Sequence, residues 1–260
     1  MSLIALAWKH YPRYPLLLLA NREEFYDRPT TPLQRWDGDP PFYSGKDLRV
    51  GGTWLGIGES GRFAAVTDFR WHIEPSGKQF LSRGQLVTEF LNSALDPEEF
   101  LTQTHELRER CLPHNLLVGD TEKLYYACSV SHAIEELSPG VHSVGDFFLD
   151  SRMPKCRYVH KHLESLLIDT ELSPEDREEM FEVLTYPMRF PEEDLPSRGY
   201  PADIERELSP VFLDLGEFGT VSSSVLSLDV NGHVIFSERP YQEGKPGQTL
   251  TQEFDLVKDA

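Results

Sequence analysis

Antiparallel hairpin signals at both ends of the chain constrain its fold more than any other feature. Near the N-terminus, Ser2–Trp8 and Leu16–Arg22 are short apolar runs joined by the turn-rich His10-Tyr11-Pro12-Arg13-Tyr14-Pro15. Both are too brief for helices, and their proline-bounded length predicts two buried strands. Toward the other end, Val221–Asp229 and His233–Glu238 flank Asn231-Gly232. This Asn-Gly pair is the strongest hairpin signal in the sequence. Two further hairpins are expected around Glu59-Ser60-Gly61 and around Asp120-Thr121-Glu122-Lys123. Helical patterns group between the paired strands, which predicts an α+β layered domain and not a βαβ alternation. With no repeat, low-complexity tract or linker, residues 1–260 read as a single domain.

The helical signals are specific. In Ser82–Leu95, Leu86, Val87, Phe90, Leu91, Ala94 and Leu95 share one face. Asp96-Pro97-Glu98-Glu99 supplies an N-cap, a first-turn proline and acids on the positive end of the dipole, opening a helix to about Arg110. Pro154–Ile168 is helical, and Ser173-Pro174-Glu175-Asp176 caps another helix running to about Leu184. Glu23–Lys46, dense in proline and aromatic residues, is expected to be a long ordered loop of the kind that often carries function. Tyr186–Tyr200, with its acidic Glu192-Glu193-Asp194, reads as an exposed loop.

Charge narrows the partners. The chain carries 25 Lys+Arg against 43 Asp+Glu, a net charge of −18. Phosphate binding depends on clustered cations, so no nucleic-acid partner is expected, and docking on anionic lipid is disfavoured. Leu3–Trp8 and Leu16–Ala20 fall well short of the ~20 residues of a membrane helix, and no secretory signal is visible. Cys111, Cys128 and Cys156 form no C-x-x-C and cannot all pair, which fits a reducing compartment and a cytoplasmic location.

Several constellations could carry chemistry. The glycines of Gly51-Gly52-Thr53-Trp54-Leu55-Gly56-Ile57-Gly58 lack the strand–loop–helix context of a phosphate loop and mark close backbone approach instead. Cys111-x-x-His114, Cys128-x-x-x-His132 and Cys156-x-x-x-His160-x-His162 are each incomplete as zinc sets, so no metal is expected. Ser222-Ser223-Ser224 stands outside any Gly-x-Ser-x-Gly elbow. Ser2 is more suggestive. Once Met1 is removed, its α-amino group, with an ordinary pKa of ~7.7–8.0, can serve as base for its own hydroxyl.

The run Ala20-Asn21-Arg22-Glu23-Glu24-Phe25-Tyr26-Asp27-Arg28-Pro29-Thr30 resembles the signature of the NRDE family, also called the transport-and-Golgi-organisation family. Further blocks match in order: Gly45-Lys46-Asp47-Leu48, Gly51–Gly56, Gly61–Arg70, Ser82-Arg83-Gly84, Asn115–Asp120, Met153-Pro154-Lys155 and Phe218–Ser223. The resemblance spans nearly the whole chain. It implies a four-layer αββα sandwich of two antiparallel sheets, N-terminal-nucleophile-hydrolase-like, with the first strand inside its sheet.

In such hydrolases the residue exposed at position 2 attacks an amide carbonyl, an Arg and an acid support the amine, and Asn side chains help bind the oxyanion. The resemblance thereby implies catalytic roles for Ser2, Arg22, Glu24, Asp68 and Asp146, and ligand contacts from Asn21, Glu23, Trp54 and Arg70. Four positions depart from the family pattern. Ser2 replaces the usual Cys, Asp68 and Asp146 replace Asn, and Val221 stands where Arg is usual. A carboxylate in place of an amide donor repels an oxyanion unless it is protonated. The resemblance then implies a protein that handles a small hydrophobic ligand, haem or a lipid or acyl group, without turnover. Phe42, Tyr43, Trp54 and Trp71 are candidate walls, and no cofactor is required. The alternative is an amide (C–N) hydrolase with Ser2 as N-terminal nucleophile.

Overall fold

The computed structural model describes residues 3–70, 80–166, 168 and 171–257. The expected nucleophile Ser2 and the candidate wall residue Trp71 lie outside these described residues. The first half of the chain contains β1 (Leu3–Trp8), β2 (Leu16–Phe25), β3 (Thr30–Trp36), β4 (Phe42–Asp47), β5 (Leu55–Gly58) and β6 (Phe63–Asp68). Helices α1 (Arg83–Leu91), α2 (Pro97–Gln103) and α3 (His105–Glu109) follow. Next come β7 (His114–Gly119), β8 (Leu124–Cys128), β9 (Ile134–Glu136) and β10 (Gly140–Gly145), then α4 (Pro154–Ser165), α5 (Pro174–Leu184) and α6 (Ala202–Glu207). The chain closes with β11 (Phe218–Leu228), β12 (His233–Gln242), β13 (Lys245–Pro246) and β14 (Leu250–Asp255).

Two antiparallel sheets result, one ordered β10-β1-β2-β11-β12 with β13 and β14 on its far edge, the other β3-β4-β5-β6-β7-β8-β9. The first strand is interior, between β10 and β2. Alternation explains why the N-terminal runs are apolar throughout. Ile4, Leu6 and Trp8 of β1, with Leu16 and Leu18 of β2, pack between the sheets against Leu55, Ile57, Phe63 and Leu117. Leu3, Ala5, Ala7, Leu17 and Leu19 point the other way, against Cys156, Val159, Leu163, Met180 and Phe181 of α4 and α5. A third core joins Ala64, Val66, Leu116 and Val118 to Leu86, Val87, Phe90 and Leu91 of α1. Strands covered on both faces lose their polar alternation, and each fully buried large apolar side chain contributes roughly 1.5–3 kcal/mol. The layers are therefore αββα, as the family resemblance implied.

Some expectations need correction. Glu23–Lys46 is not a loop but the end of β2, all of β3 and most of β4. Pro29, Pro40 and Pro41 fall in the connections around β3, and Pro32 is tolerated inside this edge strand because it sits in a register shift between Thr31 and Gln34 and removes no ladder bond. The helix expected to reach Arg110 breaks at Thr104, whose hydroxyl back-bonds to the Phe100 carbonyl at 2.7 Å while its backbone leaves helical geometry (φ −92°, ψ 13°). The short strands β9 and β14 and helix α6 carried too little periodicity to be foreseen. The helix expected to be capped by Ser173-Pro174-Glu175-Asp176 is α5, and its start is a capping box in which Ser173 and Asp176 exchange hydrogen bonds.

Candidate functional site

The two sheets meet in a polar seam at the start of β1. Leu3 pairs with Asn21 of β2 and with Gly145 of β10, so Arg22 and Asp146 are the next residues along the flanking strands. From the second sheet, the Thr67 hydroxyl donates to the Gly145 carbonyl at 2.7 Å and the Arg70 N–H donates to the Asp146 carbonyl at 2.8 Å. Asn115 of β7 closes the seam, donating to the carbonyls of Gly145 and Phe147 and accepting from the Tyr126 hydroxyl.

Side-chain parity sends Arg22 and Glu23 to opposite faces of β2. On the helical side, Glu23 enters a buried ion cluster. Arg70 lies 3.5 Å from Glu23 and 3.3 Å from Asp146, while Lys155 of α4 lies 3.5 Å and 3.9 Å from the same two acids. Arg198 reaches Asp146 at 2.7 Å and holds Glu205 of α6 in a forked pair. Asp146 and Lys155 are 0% and 1% exposed, so bulk water reaches neither partner. Burial alone would raise the Asp146 carboxyl, but Lys155, Arg70 and Arg198 outweigh it and hold the group below the usual carboxylate range. The three cations and the acids Glu23, Asp146 and Glu205 balance, the condition under which buried charge is tolerated.

On the inter-sheet side, Arg22 stacks on the Trp54 ring at 4.0 Å, and Trp54 in turn occupies the space above Gly45, where any Cβ would collide with it. Asp47 gathers Arg28 at 2.8 Å and Arg22 at 3.9 Å, and its other oxygen accepts from the N–H groups of Arg49 and Val50. Asp68 pairs with Arg83 at 2.8 Å. Burial would raise the Asp68 carboxyl, yet surrounding positive charge, Arg83 and Arg70 included, keeps it lowered. These groups border a cavity of about 290 Å³ whose other walls include Trp54, Val66, Phe80, Leu81 and Leu112. Arg28 also borders a broader open cleft of about 1030 Å³ that reaches Val221 and Tyr241. Gly52 and Gly84 let the loop before β5 touch the start of α1, a Cβ on Gly52 falling 2.5 Å from the Gly84 carbonyl carbon. That close approach accounts for Gly52, whereas Gly51 is required by its positive φ of 84°.

Of the residues singled out from sequence, Arg22, Glu24, Trp54 and Asp68 gather at the cavity, and Glu23, Arg70 and Asp146 gather in the ion cluster behind it. Asn21 joins neither. Its amide donates to the Leu184 and Val211 carbonyls at 2.8 Å each and its oxygen accepts from Ser223, so it pins β2 to the helical layer. Phe42 and Tyr43 are core side chains. Asp47, Arg83, Lys155, Arg198 and Glu205 were not anticipated as site residues. Asp47 and Lys155 lie in matching family blocks, but Arg198 falls in the stretch read as exposed loop and is buried. Cys111, Cys128 and Cys156 are free of disulfides and buried. Burial lowers His114 to about 4, and its Nδ1 faces the Leu112 carbonyl at 2.9 Å.

The sequence model described as Transport and Golgi organisation 2 matches residues 1–243. The chain belongs to this family. A Transport and Golgi organization protein 2 homolog from Bos taurus is 30% identical over 263 residues, covering 94% of this chain and 93% of the relative. The Homo sapiens protein of that name is 27% identical over 260 residues, with the same coverages of 94% and 93%. Among solved structures, a mutant conjugated bile acid hydrolase from Clostridium perfringens superposes with a TM-score of 0.52 at 8% identity, covering 98% of this chain and 92% of that one. A Caenorhabditis elegans N-acylethanolamine-hydrolyzing acid amidase ortholog gives 0.50 at 10% identity, with coverages of 86% and 92%. The family member described here therefore has an N-terminal-nucleophile-hydrolase-like fold. No helix among its described residues is long and apolar enough to cross a membrane.

Proposed function

We propose that this family member holds a small acyl-bearing ligand with a neutral polar head in the Trp54 cavity and does not turn it over. One observation carries the reading. Asp68 and Asp146, at the positions where the family resemblance implies amide donors, are lowered carboxylates already engaged by Arg83 and by Arg70, Arg198 and Lys155. Asn21 and Asn115 spend their amides on backbone carbonyls. A developing oxyanion in the cavity would meet the Asp68 carboxylate, with Asp146 committed to the ion cluster behind it, and would find neither of these amides. The cavity favours a neutral head because Arg22, Arg28 and Arg83 are matched by Glu24, Asp47 and Asp68, while Trp54, Val66 and Leu112 receive a hydrocarbon portion. Haem fits less well, since the described lining includes no His, Cys, Met or Tyr to serve as axial ligand. The buried free cysteines support a reducing, cytoplasmic setting.

Titration with a fluorophore-tagged long-chain acyl amide tests the binding. The expected result is saturable one-to-one binding that Trp54→Ala weakens about tenfold, equivalent to about 1.4 kcal/mol. The solved neighbours are named for N-acylethanolamine and conjugated bile acid hydrolysis, so amides of those two kinds should be incubated in parallel with no acid released. Absence of saturable binding, or release that disappears in Ser2→Ala, would overturn the proposal.

The fold likeness favours one second reading, an amide hydrolase with Ser2 as nucleophile and its own amine as base. That mechanism requires a free Ser2 amine. Intact mass of the cellular protein decides this prerequisite: retained Met1 eliminates the mechanism.

A further inference from the structure

Away from the cavity, α3 and the turn between β8 and β9 bring two imidazoles and a carboxylate together. His105 and Glu109 are four residues apart on α3, which places them on one face of a helical turn. His132 arrives from the turn after β8, and its Nδ1 lies 3.0 Å from Glu109 Oε1. His105 Nε2 lies 3.9 Å from that same oxygen. One ligating atom from each residue falls within 4.8 Å of the other two, and all three side chains are exposed.

We propose that His105, Glu109 and His132 form a binding site for a divalent transition metal, with zinc the best-suited ion. Nitrogen and oxygen ligands at ~2.0–2.1 Å from a tetrahedral zinc stand roughly 3.3 Å apart. The two separations to Glu109 bracket that value, and exposed side chains on rotatable bonds close the remaining gap without moving the backbone. Two imidazoles and one carboxylate match borderline transition metals, whereas calcium and magnesium prefer oxygen donors throughout. Three protein ligands leave the fourth position to water. The bound ion would staple α3 to the β8–β9 turn, and binding only the folded chain would stabilise it. The site does not depend on the ligand proposed for the Trp54 cavity.

Calorimetric titration of chelator-treated, dialysed full-length protein with zinc chloride tests this. The expected result is one zinc per chain in the micromolar range and a raised melting temperature with zinc. His105→Ala and His132→Asn should each weaken binding at least about tenfold and abolish the thermal shift. Asn suits position 132 because its φ is +57°. His10→Ala, an exposed control, should bind as wild type does. Far-UV circular dichroism should show all variants folded. No zinc uptake by the wild type, or undiminished uptake by both the His105 and His132 variants, would overturn the assignment.

Discussion

Asp146 shows how a residue can occupy a catalytic-looking position and do structural work. Its side chain is fully buried among Arg70, Lys155 and Arg198. Asp146→Asn would leave three cations with one fewer counter-charge, and removing one partner of a buried ion pair costs about 3–5 kcal/mol. Urea denaturation at neutral pH should show a loss of that size, with no amidase activity gained. A loss below about 1 kcal/mol would contradict the structural role. The pH dependence has a definite sign. Asp146 is lowered in the fold, so the unfolded chain takes up this proton first as pH falls below ~3.9. Its stabilisation is complete above that pH and is lost as the solution is acidified through the folded value. The wild-type urea midpoint should therefore fall steeply in acid, and the Asn variant should lack that portion of the slope.

Among elements, β3 and β12 are tied across the inter-sheet space by one acid. The register shift in β3 frees the Leu33 N–H, which donates to Glu238 Oε1 at 2.9 Å, while the Ser222 hydroxyl donates to the other oxygen at 3.3 Å. Glu238→Ala should cost about 1–3 kcal/mol for each buried group left unpaired. Glu238→Gln keeps an oxygen for Leu33 and should cost less. Burial raises the Glu238 carboxyl above the ordinary glutamate range. The neutral form's stabilisation is thus present in acid and declines as pH rises from ~4.3 toward the folded value. The stability of the Gln variant relative to wild type should increase over that interval in urea midpoints measured along a pH series. An Ala variant as stable as wild type would remove the tie.

For the molecule as a whole, the net charge of −18 opposes compaction. Many of its surface ion pairs, such as Lys123–Asp96 and Arg189–Glu207, are half exposed and individually weak. Screening should relieve more repulsion than it costs in pairs, since the Debye length is only about 10 Å at 0.1 M salt. Scanning calorimetry should show the melting temperature rising with sodium chloride. A fall would mean that ion pairs dominate.

Local and periodic features are encoded in the amino-acid order alone. The apolar runs Leu3–Trp8 and Leu16–Leu19, the Asn231-Gly232 turn and the Ser173 capping box follow from side-chain size, φ preference and spacing, which neighbouring residues settle among themselves. The Asn21-Arg22-Glu23-Glu24 run and its companion blocks also made the family resemblance and half of the site legible. Tertiary structure alone decided the partners. Alternation along β2 separates adjacent Arg22 and Glu23 onto opposite faces, one over Trp54 and one toward Lys155. Arg198 is a buried counter-ion only because the chain folds back on Asp146, and His105 meets His132 only because α3 packs beside the β8–β9 turn. Such pairings join residues distant in the chain, and no local spacing or propensity encodes a charge balance or a ligand set that exists only once the layers have closed.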